Sequence, residues 1–214
     1  MRITRFGHAA LLVETDRTRV LIDPGTFSLD AAFDLTDLDA VVVTHQHPDH
    51  VDPTRVGRLV GANSSARLLA EPQTVASLRG FGVWEATAAE VTYEVGDVTL
   101  TGVGFLHAVI HPDIPTIGNV GVLVEHDGTR LLHPGDSYAS APLEVDALAV
   151  PLSAPWAKVS ETVDFVRAVS PRVVFPIHDS LLTESAHAMY WARVSEMSGV
   201  ADARAVAADG SLEV

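Results

Sequence analysis

Apolar residues in the first third of the chain fall in short runs. RITRF, AALLVE, TRVLID and DAVVVT each have strand length and end near Gly, Asp or Pro. They read as strands of one sheet. Further strand patterns follow in ARLLAE, VTYEV and VTLTGVGF, then in NVGVLVEH, TRLLH, DALAV and RVVFPI. Helical spacing occurs in DPTRVGRLVGA, where Asp52 suits an N-cap and Pro53 the first helical position. It recurs near Gln73 to Arg79, over Val159 to Val169, and after Thr183 through Met197. Strands in runs with helices between them predict an α/β protein whose sheet faces carry helices.

An internal repeat organises these elements. Residues 7–21, GHAALLVETDRTRVL, align without a gap to residues 118–132, GNVGVLVEHDGTRLL, with identities at Gly7, Leu12, Val13, Glu14, Asp16, Thr18, Arg19 and Leu21. LDAVVVTHQH then answers to VDALAVPLSA, and SARLLAEP to SPRVVFPI. Three blocks in the same order imply two similar halves.

Composition narrows the possibilities. A length of 214 residues, 47% of them hydrophobic and 20% charged, suits one folded domain spanning residues 1–214. The net charge of −14 disfavours a partner held by phosphate neutralisation, so no nucleic acid is expected. With no cysteine, any metal must be held by His and carboxylates. The N-terminal stretch is interrupted by Arg5 and His8, and no run approaches a membrane span, so a cytoplasmic protein without membrane contact is expected.

The chemistry concentrates in VVVTHQHPDHVDP, where His45, His47, Asp49 and His50 form H-x-H-x-D-H in a strand-to-helix loop. In extended backbone His45 and His47 point to one side, and Asp49 and His50 serve a neighbouring point past the turn favoured by Pro48. Two adjacent metal ions would use all four. The corresponding stretch of the second half, Pro151 to Trp156, carries no histidine, so the cluster is chemistry mounted on a strand end and not a requirement of folding. Imidazole and carboxylate without thiolate suit zinc, and also manganese or iron.

THQHPDH resembles the signature of the metallo-β-lactamase superfamily, whose fold is a four-layer αββα sandwich made of two similar halves. Its later elements follow in order: His107 in GFLHAV, Gly135-Asp136 in HPGDS, and His178 in FPIHDS. The resemblance implies that His45, His47 and His107 hold one divalent metal, that Asp49, His50 and His178 hold a second, and that Asp136 bridges both. Two cations roughly 3.5 to 4 Å apart repel, so a shared carboxylate and a shared hydroxide are needed, and that hydroxide would be the nucleophile. Asp49 is also the candidate catalytic residue, orienting the nucleophile or carrying a proton to the leaving group. His111, four residues after His107, is the weaker candidate for the third motif and is placed near the mouth of the site or in solvent.

His8 in FGHAALLVE, followed by LIDPG, is similar to the N-terminal pattern of the small cytosolic ascorbate-6-phosphate lactonase-like branch. The residues leave open whether it supports a ligand, faces substrate or is a hydrogen-bonded structural residue. Asp23 either orients a metal-bound histidine or caps a turn before Pro24. His133, at the repeat position of Asp23 with a one-residue gap, is expected to support a ligand. Ser137, Tyr138 and Trp156 are candidate pocket residues, the two aromatics equally candidates for packing; His126 and His187 are expected at the surface. No G-x-S-x-G elbow occurs.

The expected function is a binuclear metal-dependent hydrolase cleaving a small ester, lactone or phosphodiester. The missing signal segment demotes secreted β-lactamases, the acidic charge demotes nucleases, and the roughly 35 residues after His178 are too few for a glutathione-binding helical region. The alternatives are a non-catalytic metal-binding or sensor protein and a nuclease working with a basic partner.

Overall fold

A computed structural model describes residues 1–214. The first sheet contains β1 (Arg2–Arg5), β2 (Leu11–Glu14), β3 (Arg19–Ile22), β4 (Ala40–Val43), β5 (Arg67–Ala70) and β6 (Trp84–Ala86). The second contains β7 (Thr92–Val95), β8 (Val98–Val103), β9 (Gly121–His126), β10 (Thr129–His133), β11 (Ala147–Pro151), β12 (Val173–Ile177) and β13 (Asp202–Ala203). A last strand, β14 (Ser211–Glu213), returns to pair with β1, giving the orders β14-β1-β2-β3-β4-β5-β6 and β13-β12-β11-β10-β9-β8-β7.

The two sheets share one plan. β1–β2–β3 and β8–β9–β10 are antiparallel, and β3–β4–β5–β6 and β10–β11–β12–β13 are parallel. The aligned blocks of the sequence repeat therefore occupy matching strands. The parallel strands AVVV, ALAVP and VVFPI are buried along their whole length, as strands covered on both faces must be.

Four layers result. The inner faces of both sheets meet in a core that includes Ile3, Val42, Leu131 and Phe175. A 3₁₀ turn (Asp30–Asp34) and α1 (Val56–Ala62) cover the outer face of the first sheet through Phe33, Val56 and Leu59, with α2 (Pro72–Ser77) beside β5 and β6. α3 (Val159–Val169) and α4 (Glu184–Met197) cover the second through Phe165, Val166, Trp191 and Val194. The fold is the αββα sandwich expected from the sequence. No helix is long and apolar enough to cross a membrane.

α3 and α4 have the expected bounds, with Thr183 accepting the Ala186 amide at the start of α4. α1 starts later than expected. The Asp52 carboxylate is spent on a preceding turn, where it accepts the amides of Thr54 and Arg55 and the Thr54 hydroxyl, so the helix begins at Val56. The short β6, β13 and β14 carry too little alternation to be read from sequence.

Candidate metal centre

All candidate side chains leave the carboxyl ends of strands or the loops beside them, where an open parallel sheet leaves its crevice. β4 ends at Val43 and delivers His45, His47, Asp49 and His50; β10 leads to Asp136, and β12 runs directly into His178. Three non-glycine residues at these exits, His8, Asp23 and His178, have left-handed φ of 43°, 49° and 55°. Such backbone is costly and concentrates at functional sites. Gly25 allows the closest approach: a Cβ there would lie 1.8 Å from the Asp49 carbonyl oxygen, so the Asp23–Gly25 turn lies flat against the histidine loop.

Two groups of ligand atoms form, each within 4.8 Å. One is His45, His47, His107 and Asp136; the other is His8, Asp49, His50 and His178. Asp136 joins them, with Oδ1 at 3.0 Å from His50 Nε2 and Oδ2 at 3.4 Å from His107 Nε2 and 3.3 Å from His178 Nε2. His45, His50, His107 and His178 are buried. His111 is exposed beside Asp113, away from both groups.

The histidines are aimed by their Nδ1 atoms. His50 Nδ1 donates to Asp23 Oδ2 at 2.7 Å, His107 Nδ1 to the Ala108 carbonyl at 2.6 Å, and His178 Nδ1 to the Ser153 carbonyl at 2.7 Å. The Thr44 hydroxyl donates to Asp23 Oδ2, so at 3.1 Å from His45 Nδ1 it accepts. Each ring is thereby fixed with its Nε2 toward the pocket, the orientation that ligating histidines adopt. His47 instead turns Nδ1 inward, 3.1 Å from His45 Nε2.

Four of the converging atoms, the Nε2 atoms of His50, His107 and His178 and Asp136 Oδ1, are buried and form no hydrogen bond of ordinary geometry, the histidine nitrogens facing Asp136 at 3.0 to 3.4 Å. Polar atoms crowded and buried in this way are expensive, and four at one point fit a bound cation. Imidazole and carboxylate suit zinc, manganese or iron, so the residues fit the group.

Electrostatics divides the ligands. Burial, and then the proximity of His50, hold His45 well below the ordinary histidine range. Burial also lowers His47, with His107 next to it adding to the effect. Burial would lower His50 as well, but Asp136 and Asp23 carry it well above that range. His178 is likewise opposed by burial and pushed up to about 9 by Asp136 and Asp49. Burial alone would raise Asp49, yet the His178 and His8 rings beside it lower it; Asp136 is lowered by His50 and His178 against its burial.

His8 is lowered to about 4, mainly by burial. Its Nε2 lies 3.3 Å from Asp49 Oδ2, its ring 4.0 Å from that of His178, and its amide donates to Ser180 Oγ. Unlike the four anchored rings, its Nδ1 has no partner. Asp23, fully buried, accepts from the Thr44 amide, the Thr44 hydroxyl and His50. His133 donates Nε2–H to the Ala9 carbonyl and accepts the Gly135 amide at Nδ1, bracing the segments of His8 and Asp136.

Trp156 is buried and donates Nε1–H to Asp136 Oδ2 at 2.9 Å. Tyr138 turns away, its hydroxyl on the Pro151 carbonyl and Thr162. Ser137 contacts only the Ala139 amide. His126 and His187, expected at the surface, are half-buried on Asp97 and Asp179. Asn119 was missed: its Oδ1 accepts the Asp136 amide, and its Nδ2 donates to the Pro134 carbonyl. The signal was present, because the repeat pairs Asn119 with His8.

A family model described as β-lactamase superfamily domain matches residues 2–178. The chain belongs to the metallo-β-lactamase superfamily. A protein of Mycobacterium tuberculosis, Rv0786c, is 44% identical over 201 residues, 92% of this chain and 93% of that one. The UPF0173 metal-dependent hydrolase of Methanopyrus kandleri is 30% identical over 196 residues, 83% of this chain and 84% of that one. In fold, the metallo-β-lactamase fold protein YhfI from Bacillus subtilis superposes with a TM-score of 0.79 at 13% identity, covering 100% of this chain and 98% of that one.

Proposed function

We propose that the chain is a binuclear metal-dependent hydrolase acting on a small ester, lactone or phosphodiester. The observation that carries this is the convergence of four buried candidate ligand atoms, on His50, His107, His178 and Asp136, that form no hydrogen bond of ordinary geometry. Superfamily membership and the hydrolase name of the Methanopyrus relative support it. His45, His47 and His107 would hold one cation, Asp49, His50 and His178 the other, and Asp136 both. Bound there, divalent cations, with zinc favoured, supply Lewis acidity and lower the pKa of a water from about 15.7 to about 7.

The protein's own groups do the rest. Asp49, held anionic by His178 and His8 and 24% exposed, is the most open of the ligand carboxylates, so it orients the attacking water, takes up the proton that water loses and passes it to the leaving group. Trp156 holds the Asp136 carboxylate, and the Asn119 side chain holds its backbone amide. His8 acts through Asp49: a neutral ring donates Nε2–H to the carboxylate, and its unanchored Nδ1 distinguishes it from the ligating rings. A small-molecule substrate and a cytoplasmic location complete the proposal.

Elemental analysis of purified protein, with hydrolysis of chromogenic phosphodiesters, lactones and thioesters, tests the reading. About two metals per chain, with turnover lost in Asp49→Ala and Asp136→Ala, is expected. Two metals without turnover would favour the non-catalytic binding role, and no tightly held metal would overturn the site.

A further inference from the structure

The loops that carry the metal-site residues have an unusual surface. Leu106 pairs with Gly118, and the His107 amide donates to the Ile117 carbonyl, so residues 108–116 project as a loop whose base holds His107. That loop presents Val109 and Ile114, which are 60% and 49% exposed. Ile110, Ile114, Pro115 and Ile117 line a cleft together with His47 and His107. On another side, Phe27, 41% exposed, sets its ring edge 5.2 Å from His8. Leu181, three residues beyond His178, is 67% exposed. Exposed apolar side chains on three loops around one polar cluster mark a ligand surface.

Charge says what kind. Residues 23–29, 44–54, 104–119, 134–142, 151–157 and 178–183 contain no Lys or Arg. The flanking cations are committed: Arg5 is buried against Asp179, Arg55 is paired with Asp52 and Asp30, and Lys158 with Glu161. A substrate carrying a carboxylate or phosphate away from the reacting bond would find no cation there, on a chain of net charge −14.

Resting on the hydrolase reading, we propose that the substrate carries no charged group away from its scissile bond and that an apolar acyl or aryl group beside that bond sits on Val109, Ile114, Phe27 and Leu181.

The test is binding of straight-chain hydroxamates, from acetohydroxamate to octanohydroxamate, to the metal-loaded protein by calorimetry, with metal content measured before and after. The hydroxamate group reports the metals and the chain reports the loops. Affinity should rise about two- to fourfold per methylene, as methylene burial gives. The double variant Val109→Ser/Ile114→Ser should flatten that rise while acetohydroxamate binds unchanged. Equal affinity for the shortest and longest chains would overturn the proposal and leave the metal site standing. So would an ω-carboxylate chain binding as tightly as the alkyl chain of equal length, or a rise undiminished in the double variant. Protein that holds its metals yet binds no hydroxamate would overturn the hydrolase reading and the proposal together, in favour of the non-catalytic binding role.

Discussion

The two halves of the molecule share strand order and much of the β2–β3 sequence, yet they divide the chemistry unequally. At the end of β4 the first half sends out His45, His47, Asp49 and His50; at the end of β11 the second half offers the Ser153 carbonyl and Trp156, which hold His178 and Asp136. At the end of β3 stands Asp23, a buried support for His50 and Thr44, whereas just past the end of β10 stands Asp136, which reaches both ligand groups. After β5 the buried Glu71 merely caps α2, while after β12 comes His178. Even the paired residues His8 and Asn119 follow this pattern, each bracing the aspartate of its own half. A repeated scaffold thus fixes where side chains emerge, and the residue types at matched exits decide which are candidate ligands and which hold those candidates in place.

The division can be broken at its strongest point first. Asp136→Ala removes the one carboxylate facing both groups; loss of several kcal/mol of transition-state stabilisation should lower turnover about 10³-fold, with metal content falling, as elemental analysis and kcat would record. Supports should cost less and equally in either half. Asp23→Asn and Asn119→Ala should each weaken metal affinity about 10- to 100-fold in chelator competition; a normal affinity in one of them would break the symmetry argument.

His8 sharpens the contrast between holding and ligating. His8→Ala should weaken one of two metals by about tenfold, and His8→Gln, which keeps a donor toward Asp49, should restore it. X-ray absorption should count the same number of imidazoles in His8→Gln as in wild type; a lost imidazole would make His8 a ligand. Trp156→Phe keeps the packing and deletes one donor to Asp136, so a loss of severalfold in kcat is expected.

The smallest effect is on protons. In metal-free protein His178 is raised to about 9 by Asp136 and Asp49 against its burial, so it is charged at pH 7.5 and must deprotonate to ligate. Calorimetry in buffers of different ionisation enthalpy should therefore find proton release on metal loading. The same shift stabilises the metal-free fold fully below the unfolded histidine value of about 6.5 and is lost as pH rises through about 9. Thermal unfolding without metal should accordingly weaken between those pH values.

Sequence alone determined the architecture and most of the candidate site. Short apolar runs rich in β-branched residues, such as AVVV and VVFPI, read as strands covered on both faces, and the repeat implied two similar halves. The H-x-H-x-D-H loop was legible because its spacing is local and its residue types are costly to bury without a use. Tertiary structure decided what depends on distant partners. That His107 and not His111 joins the cluster follows from its position at the base of a projecting loop, joined to Ile117. That His8 meets Asp49, 41 residues away, and that Trp156 meets Asp136 required the halves to fold face to face. The orientation of each ring was equally invisible, because a histidine's role is set by the acceptor behind its other nitrogen, and those acceptors are carbonyls, a hydroxyl and one buried carboxylate that no spacing in the chain reveals.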